Sequence, residues 1–327
     1  MTTALVTGVT GQDGTYLVER LLDDGVEVHG LVRSGDAGAV GLAATRPHVR
    51  LHEGDLADLD GLAGLVRDVA PDEIYNLAGI SSVAQSWQQP TLTARLSGLA
   101  VVALLEAALT VQEREGRPVR FLQASSAEIF GQPEVSPQDE RTPVKPMSPY
   151  GAAKAFAHQM TGVFRASGLH ASTCILFNHE SPLRPTAFVT RKITAAAAGI
   201  GATGEGKIRL GNLDVRRDWG WAPDYVDAMV RTVRHEVADD FVVATGQTHS
   251  VRQFAEAALR RAGVGDDWES FVEVDPQFFR PADASVLVGD PRKAERELGW
   301  QRTVEFDELV GRMVDHDLAL LKESEGR

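Results

Sequence analysis

Tyr150 and Lys154 stand four residues apart in S-P-Y-G-A-A-K, and a glycine-rich run, T-G-V-T-G-Q-D-G, occupies Thr7–Gly14. On a helix, positions i and i+4 share a face, so the phenol and the ammonium point into one space. A nearby cation favours a phenolate. Such a pair could take the proton of a hydroxyl while hydride leaves the same carbon. The plain alternative is a surface tyrosine beside an incidental lysine. In the glycine-rich run, Gly8, Gly11 and Gly14 allow a tight turn and a close approach of backbone to a pyrophosphate. Thr10, Gln12 and Asp13 complete the turn, and a helix opening there offers unpaired N–H groups to the anion. Either signal alone is short. In this order they point to dinucleotide-dependent chemistry at a hydroxyl-bearing carbon.

Other candidates fall at strand ends. The second strand closes in G-L-V-R-S-G, which puts Arg33 where an acidic residue commonly holds the ribose 2′-hydroxyl. A guanidinium there suits a 2′-phosphate, so NADP is expected ahead of NAD. The alternatives are that Arg33 stacks on adenine or lies in solvent. Asp55, followed by Leu56, could cap the next helix or accept from the adenine amine. Leu77, Ala78 and Gly79 close the fourth strand, where backbone passes the cofactor ribose. Ser125 and Ser126 end the fifth strand, at the carboxyl edge where open α/β sheets place ligands. Glu128 follows among apolar neighbours, which would raise its pKa by desolvation. It is either an acid/base or a charge at a helix start. His48 and His52 belong to a loop and a strand without a matching ligand set, and no metal site is expected.

These side chains need a scaffold, and the first half supplies one by alternation. Strands are expected at Ala4–Thr7, Val26–Val32, Val49–Glu53, Glu73–Leu77, Val119–Ala124 and Ala171–Phe177. Helical periodicity marks Gly14–Asp24, Leu59–Val69, Leu96–Thr110 and Tyr150–Ser167. This predicts an α/β fold: a doubly wound parallel Rossmann sheet with a smaller mixed α/β part. Ser34–His48 reads as a short Gly/Ala-rich connection. Beyond Phe177 helices are expected at Arg191–Ile200, Val226–Val237, Val251–Ala262 and Phe306–Lys322. The expected division gives the dinucleotide to residues 1–178 plus about 215–247. A smaller substrate-binding domain takes about 179–214 plus 248–327.

The formal net charge of −13 argues against nucleic acid as partner. One cysteine, Cys174, allows no internal disulfide and fits a cytoplasmic setting. No leader is expected before a start that already reads as strand. No apolar run is expected to reach the roughly 18 residues of a membrane span. Arg184, Arg191, Lys192, Arg209, Arg216, Arg217 and Arg280 crowd the half that lacks the glycine-rich turn, which suggests a diphosphate pocket.

With these residues in view, the chain resembles the GDP-mannose 4,6-dehydratase family of extended short-chain dehydrogenases/reductases. The resemblance runs through Thr7–Gly14, Ser148–Lys154, I-L-F-N-H-E-S-P (Ile175–Pro182), F-V-T-R-K-I-T (Phe188–Thr194), R-D-W-G (Arg217–Gly220), Ala244–Phe254, F-F-R-P-A-D (Phe279–Asp283) and G-D-P-R-K-A (Gly289–Ala294). It implies catalytic roles for Ser126, Glu128, Tyr150 and Lys154. It implies substrate contacts for Ser81, Ser126, Asn178, Glu180, Val189, Lys192, Arg217, Arg280 and Asp283. The implied partner is a nucleotide-diphosphate sugar, GDP-mannose first, and the implied assembly a homodimer, with a tetramer left open. Ala127 replaces a family hydroxyl, Ser34 a second arginine, and Leu183–Ala187 departs from the family pattern. A GDP-heptose is therefore an alternative substrate. A sugar 4-epimerase or 4-keto reductase, or a catalytically silent dinucleotide sensor, is an alternative function.

Overall fold

The structure, a computed structural model, describes residues 1–279 and 284–325. In chain order the first half comprises β1 (Thr3–Thr7), α1 (Gln12–Asp23), β2 (Glu27–Val32), α2 (Ala37–Thr45), β3 (Arg50–Glu53), α3 (Leu59–Val69) and β4 (Glu73–Asn76). There follow α4 (Val83–Gln88), α5 (Pro90–Ala94), α6 (Ala100–Glu115), β5 (Arg120–Ala124), α7 (Pro149–Ala166) and β6 (His170–Leu176). The second half comprises β7 (Asn178–Glu180), α8 (Val189–Thr203), β8 (Ile208–Leu210), β9 (Arg216–Arg217), β10 (Trp219–Trp221), α9 (Ala222–Arg234) and β11 (Asp240–Val243). It ends with β12 (His249–Ser250), α10 (Val251–Arg261), β13 (Val272–Val274), β14 (Val286–Leu287), α11 (Arg292–Leu298) and α12 (Phe306–Glu325).

Seven strands form one parallel sheet in the order β11-β6-β5-β4-β1-β2-β3. The order reverses between β1 and β4, the crevice where a Rossmann sheet takes its ligand. Side chains alternate across the pleat. Ala4 and Val6 belong to one buried cluster with α1 and α9, and Leu5 to the other with α3 and α6. A further core lies away from the sheet, where Ile193, Ala197 and Ile200 of α8 meet Phe254 and Leu259 of α10 and Met313 of α12.

Three expectations change. First, α2 lies inside the stretch read as a connection. Its Gly38 and Gly41 hide it from periodicity, but Asp36 caps it by accepting from the Gly38 amide at 2.8 Å. Secondly, D-F-V-V at Asp240 adds a seventh strand at the sheet edge. Thirdly, α5, a π-helical turn at Arg95–Leu99 and α6 join into a helical run, Pro90–Glu115, long and apolar enough by length and composition to cross a membrane. Half of its most apolar window is buried. Ala100, Leu104, Leu105 and Ala108 pack with Leu62 and Val66 of α3, so the apolarity serves the core.

Candidate active site

The β1–α1 turn is built for a close anion. Gly8 has φ +72°, and a Cβ there would meet the backbone of Ala78 at 3.0 Å. A Cβ on Gly14 would lie 2.2 Å from the Gly8 carbonyl oxygen. Only glycine fits either position. The Ncap of α1 is Gly11, in extended conformation and without a side-chain cap, so the first amides face the turn's mouth. The turn is braced from behind. Thr7 Oγ1 accepts from the Leu77 and Ala78 amides at 3.1 Å each and donates to Asn76 Oδ1 at 2.7 Å. Asn76 Nδ2 donates in turn to Gln123 Oε1 at 2.8 Å. This buried chain ties the ends of β1, β4 and β5 into one edge. Gly79 lies under Ser97, whose hydroxyl accepts from the Ile80 amide at 3.1 Å. The donor set and the tight backbone fit a pyrophosphate.

Tyr150 and Lys154 sit in the first turns of α7, which Ser148 caps by accepting from the Gly151 amide at 3.0 Å. Both side chains are buried. Lys154 Nζ donates to the Ala124 carbonyl at 2.8 Å and lies 5.9 Å from the centre of the Tyr150 ring. Burial pushes the lysine down to about 8. It also pushes the Tyr150 phenol up to about 12, with hydrogen bonding to Ser126 pulling down and the Glu128 charge pushing up. The expected lowering of the phenol by the ammonium is thus not met in the protein alone; desolvation outweighs it. Glu128 occupies a one-turn 3₁₀ helix, Ala127–Ile129, whose start Ser126 caps by accepting from the Glu128 amide at 3.2 Å. Gly151 lets α7 pass this turn, because a Cβ there would lie 2.5 Å from the Glu128 carbonyl oxygen. The structure therefore brings Ser126, Glu128, Tyr150 and Lys154 together. Ser125 Oγ is buried there with no hydrogen-bond partner among the described residues.

The N-H-E-S segment locks onto the glycine-rich turn. His179 Nε2 meets Asp13 Oδ2 at 2.9 Å, and His179 Nδ1 meets the Phe177 carbonyl at 2.7 Å. Although burial opposes charge on both, Asp13 holds His179 above its usual range and His179 holds Asp13 below. Gln12 Nε2 donates to the His179 carbonyl at 3.1 Å, and Ser181 Oγ donates to Gln12 Oε1 at 2.8 Å. Glu180 is buried, accepting from Thr190 Oγ1 at 2.7 Å and pairing with Arg184 at 3.2 Å. Arg184 stacks on Phe188, 3.8 Å from the ring centre. His179 escaped the sequence reading, since its partner Asp13 lies 166 residues away, and Arg184 was expected only among the basic residues of a diphosphate pocket. N-H-E-S-P itself was the available signal.

Among the described residues, the basic side chains of the second half have separate partners. Arg191 makes a buried ion pair with Asp317 of α12 and donates to the Pro182 carbonyl. Arg209 pairs with Glu273 at 3.3 Å, and Arg216 donates to the Thr248 carbonyl at 2.7 Å. These three hold local structure. Lys192 Nζ donates to the Arg209 carbonyl at 2.6 Å and lies 3.6 Å from the centre of the Phe278 ring. Arg217 is buried and donates to the carbonyls of Arg216 and Ala284, both at 2.8 Å. Its neighbour Asp218 was missed. That buried carboxylate accepts from the Thr245 and Gly246 amides at 2.8 and 2.9 Å and from Gly289 at 3.3 Å. It knits three motif stretches together, and burial pushes it up to about 6.

Among the remaining candidates, Asn178 begins β7 beside Trp219 of β10, and Val189 opens α8. Ser81 is exposed, just before the Ser82 cap of α4. Leu56 is half-buried and Arg33 exposed. Asp55 is not the helix cap: Asp58 caps α3, and Asp55 accepts from the Ala57 amide at 2.8 Å. Arg280 and Asp283 lie outside the described residues.

The chain is similar to known proteins in sequence and in fold. The chain matches the family described as GDP-mannose 4,6 dehydratase over residues 5–313. It is 44% identical to GDP-mannose 4,6 dehydratase 1 of Arabidopsis thaliana, covering 98% of this chain and 90% of that protein. It is 41% identical to the Homo sapiens GDP-mannose 4,6 dehydratase over 98% of this chain and 92% of that protein. Among solved structures, the Thermus thermophilus UDP-glucose 4-epimerase complex with NAD superposes with TM-score 0.81 at 27% identity. The alignment covers 97% of this chain and 99% of that one.

Proposed function

This chain belongs to the GDP-mannose 4,6-dehydratase family, and from that premise we propose that it removes water from GDP-mannose by an internal hydride transfer. The product is a GDP-4-keto-6-deoxy sugar. The observation that carries this reading is the placing of Glu128 beside Tyr150 at the end of β5. A 4-epimerase or 4-keto reductase needs the Tyr/Lys pair but no second acid/base.

The cofactor is a nicotinamide dinucleotide, which when bound accepts hydride from the sugar's C4 and gives it back at C6. The chain's own residues do the rest. Gly8, Gly11 and Gly14 with the first amides of α1 hold the pyrophosphate. Tyr150, whose phenol burial pushes up to about 12 and which bound positive charge would lower, takes the proton of the C4 hydroxyl. Ser126 hydrogen-bonds the C4 oxygen. Lys154, pinned to the Ala124 carbonyl, orients the ribose and carries positive charge next to the phenol. Once C4 is a ketone, the C5 hydrogen is acidic. Glu128 removes that proton and delivers it to the departing C6 hydroxyl, which leaves as water. Hydride arrives at C6, and C5 regains a proton from solvent by way of Glu128.

For the nucleotide sugar we assign Ser81, Asn178, Glu180, Val189, Lys192 and Arg217, together with Arg280 and Asp283. The buried bonds of Glu180 give it the role of shaping the loop before α8. We divide the labour between residues 1–178 plus about 215–247 for the dinucleotide and about 179–214 plus 248–327 for the sugar nucleotide. The packing of α9 and β11 onto the main sheet supports that division. A cytoplasmic setting fits the single, buried cysteine.

Mass spectrometry of the purified enzyme with GDP-mannose tests the class of reaction. The expected product is one water lighter than substrate, with no net use of reduced dinucleotide. Stoichiometric consumption of reduced dinucleotide would replace this reading with a reductase.

A further inference from the structure

We propose that Gln123 is a positioning residue of the reaction, its carboxamide bracing the Ala124 carbonyl on which Lys154 is anchored. This role rests on the dehydratase reading above. Thr7, Asn76 and Gln123 lie at the ends of three neighbouring strands. The register sets Asn76 beside Thr7 of β1 on one side and beside Gln123 of β5 on the other. Paired residues in adjacent strands share a face of the sheet, so the three side chains form a row. All three are buried, where a polar group without a partner is costly.

The direction of that row is dictated at its first member. Thr7 Oγ1 already accepts from the Leu77 and Ala78 amides. A hydroxyl has two lone pairs and one hydrogen, so Thr7 is left with a donor, which goes to Asn76 Oδ1. Asn76 therefore turns its amide nitrogen to Gln123 Oε1 at 2.8 Å. Gln123 is left with N–H to offer, and its Nε2 donates to the Ala124 carbonyl at 2.8 Å. Lys154 Nζ donates to the same oxygen, also at 2.8 Å. Two donors thus converge on one carbonyl and match its two lone pairs. With one direction held by Gln123, the ammonium is confined to the other. An ammonium has three donors, so two remain, in a fixed orientation, for the work that the mechanism gives Lys154. Through this row the bracing of the glycine-rich turn and the anchoring of the lysine become one structure.

The experiment measures kcat, KM for GDP-mannose and the pH profile of kcat for the native enzyme, Gln123→Met and Asn76→Leu/Gln123→Met. Methionine keeps the length of glutamine and loses both hydrogen bonds. The double variant also removes the Asn76 amide that the single one leaves buried without an acceptor, which separates a loss of folding from a loss of positioning. In both, kcat at neutral pH should fall about twofold to tenfold, the worth of one buried hydrogen bond, with KM unchanged. An ammonium free to swing favours the phenolate less, so the ascending limb set by Tyr150 should move to higher pH. The other charges acting on Tyr150, those of Glu128, Arg184 and Asp13, are the same in all three proteins. Native kinetics in both variants would overturn the assignment. So would a lower plateau with the limb unmoved, which would make Gln123 a residue of the fold alone. A native protein that turns over no GDP-mannose would bring down the dehydratase reading, and this role with it.

Discussion

In the proposed mechanism Glu128 separates a dehydratase from the simpler enzymes that share its Tyr/Lys pair, so it carries the sharpest prediction at the scale of single residues. Glu128→Gln should cut turnover by roughly 10²–10⁴-fold, the usual worth of general acid–base catalysis. Calorimetric binding of GDP-mannose should persist. Near-normal dehydration by the variant would show that Glu128 is only a charge on the 3₁₀ turn. Residues of this kind were legible because their signals are local. The spacing of Tyr150 and Lys154 is one helical turn, and Ser126 and Glu128 follow a recognisable strand end. What was not legible depends on partners far along the chain. Asp13 and His179 are 166 residues apart, and nothing at either position announces a buried ion pair. Nor did motif or spacing reveal that burial would push Tyr150 up while Lys154 turned to a backbone carbonyl. That balance depends on how deeply α7 is packed.

At the scale of elements, α5, the π-helical turn after it and α7 leave an apolar face uncovered. Leu92 and Leu99 are seven residues apart, as are Phe156 and Val163, and all four are exposed. Two turns of α7 put Phe156 and Val163 on one stripe, while Leu92 belongs to α5 and Leu99 ends the π-helical turn. The two pairs adjoin, since a Cβ on Gly98 would lie 3.2 Å from the Phe156 ring. Contiguous apolar surface of this kind marks an association site. We propose that a second copy covers it, helix pair against helix pair, which gives the expected homodimer. Leu99→Glu with Phe156→Glu should convert dimer to monomer in light scattering after gel filtration; a dimer that survives both charges would put the contact elsewhere. The elements also show where periodicity succeeds. The strands β1 to β6 and the helices α1, α3, α7 and α10 lay within a few residues of the expected positions, and all but β3, R-L-H-E, carry a clean apolar pattern. The glycines of α2 erased its pattern, although the Asp36 cap was there to be read. The apolar length of Pro90–Glu115 was underread, because Arg95 and Glu106 interrupt its run of apolar residues.

At the scale of the whole molecule, the parallel sheet sets one edge at which we propose both ligands bind. The ends of β1, β4 and β5, tied by Thr7, Asn76 and Gln123, align the glycine-rich turn with Ser126 and the start of α7. The second half then returns to that edge through β7, where His179 and, just past the strand, Ser181 grip Asp13 and Gln12. Hydride removal and return at two carbons of one sugar requires such a closed arrangement, with cofactor, base and acid held on a single face. In the proposed reaction the hydride never leaves the active site, and GDP-mannose carrying deuterium at C4 puts this to the test. NMR and mass spectrometry of the product should find the deuterium at C6, with solvent hydrogen entering at C5. Loss of the label to solvent, or its retention at C4, would contradict the account.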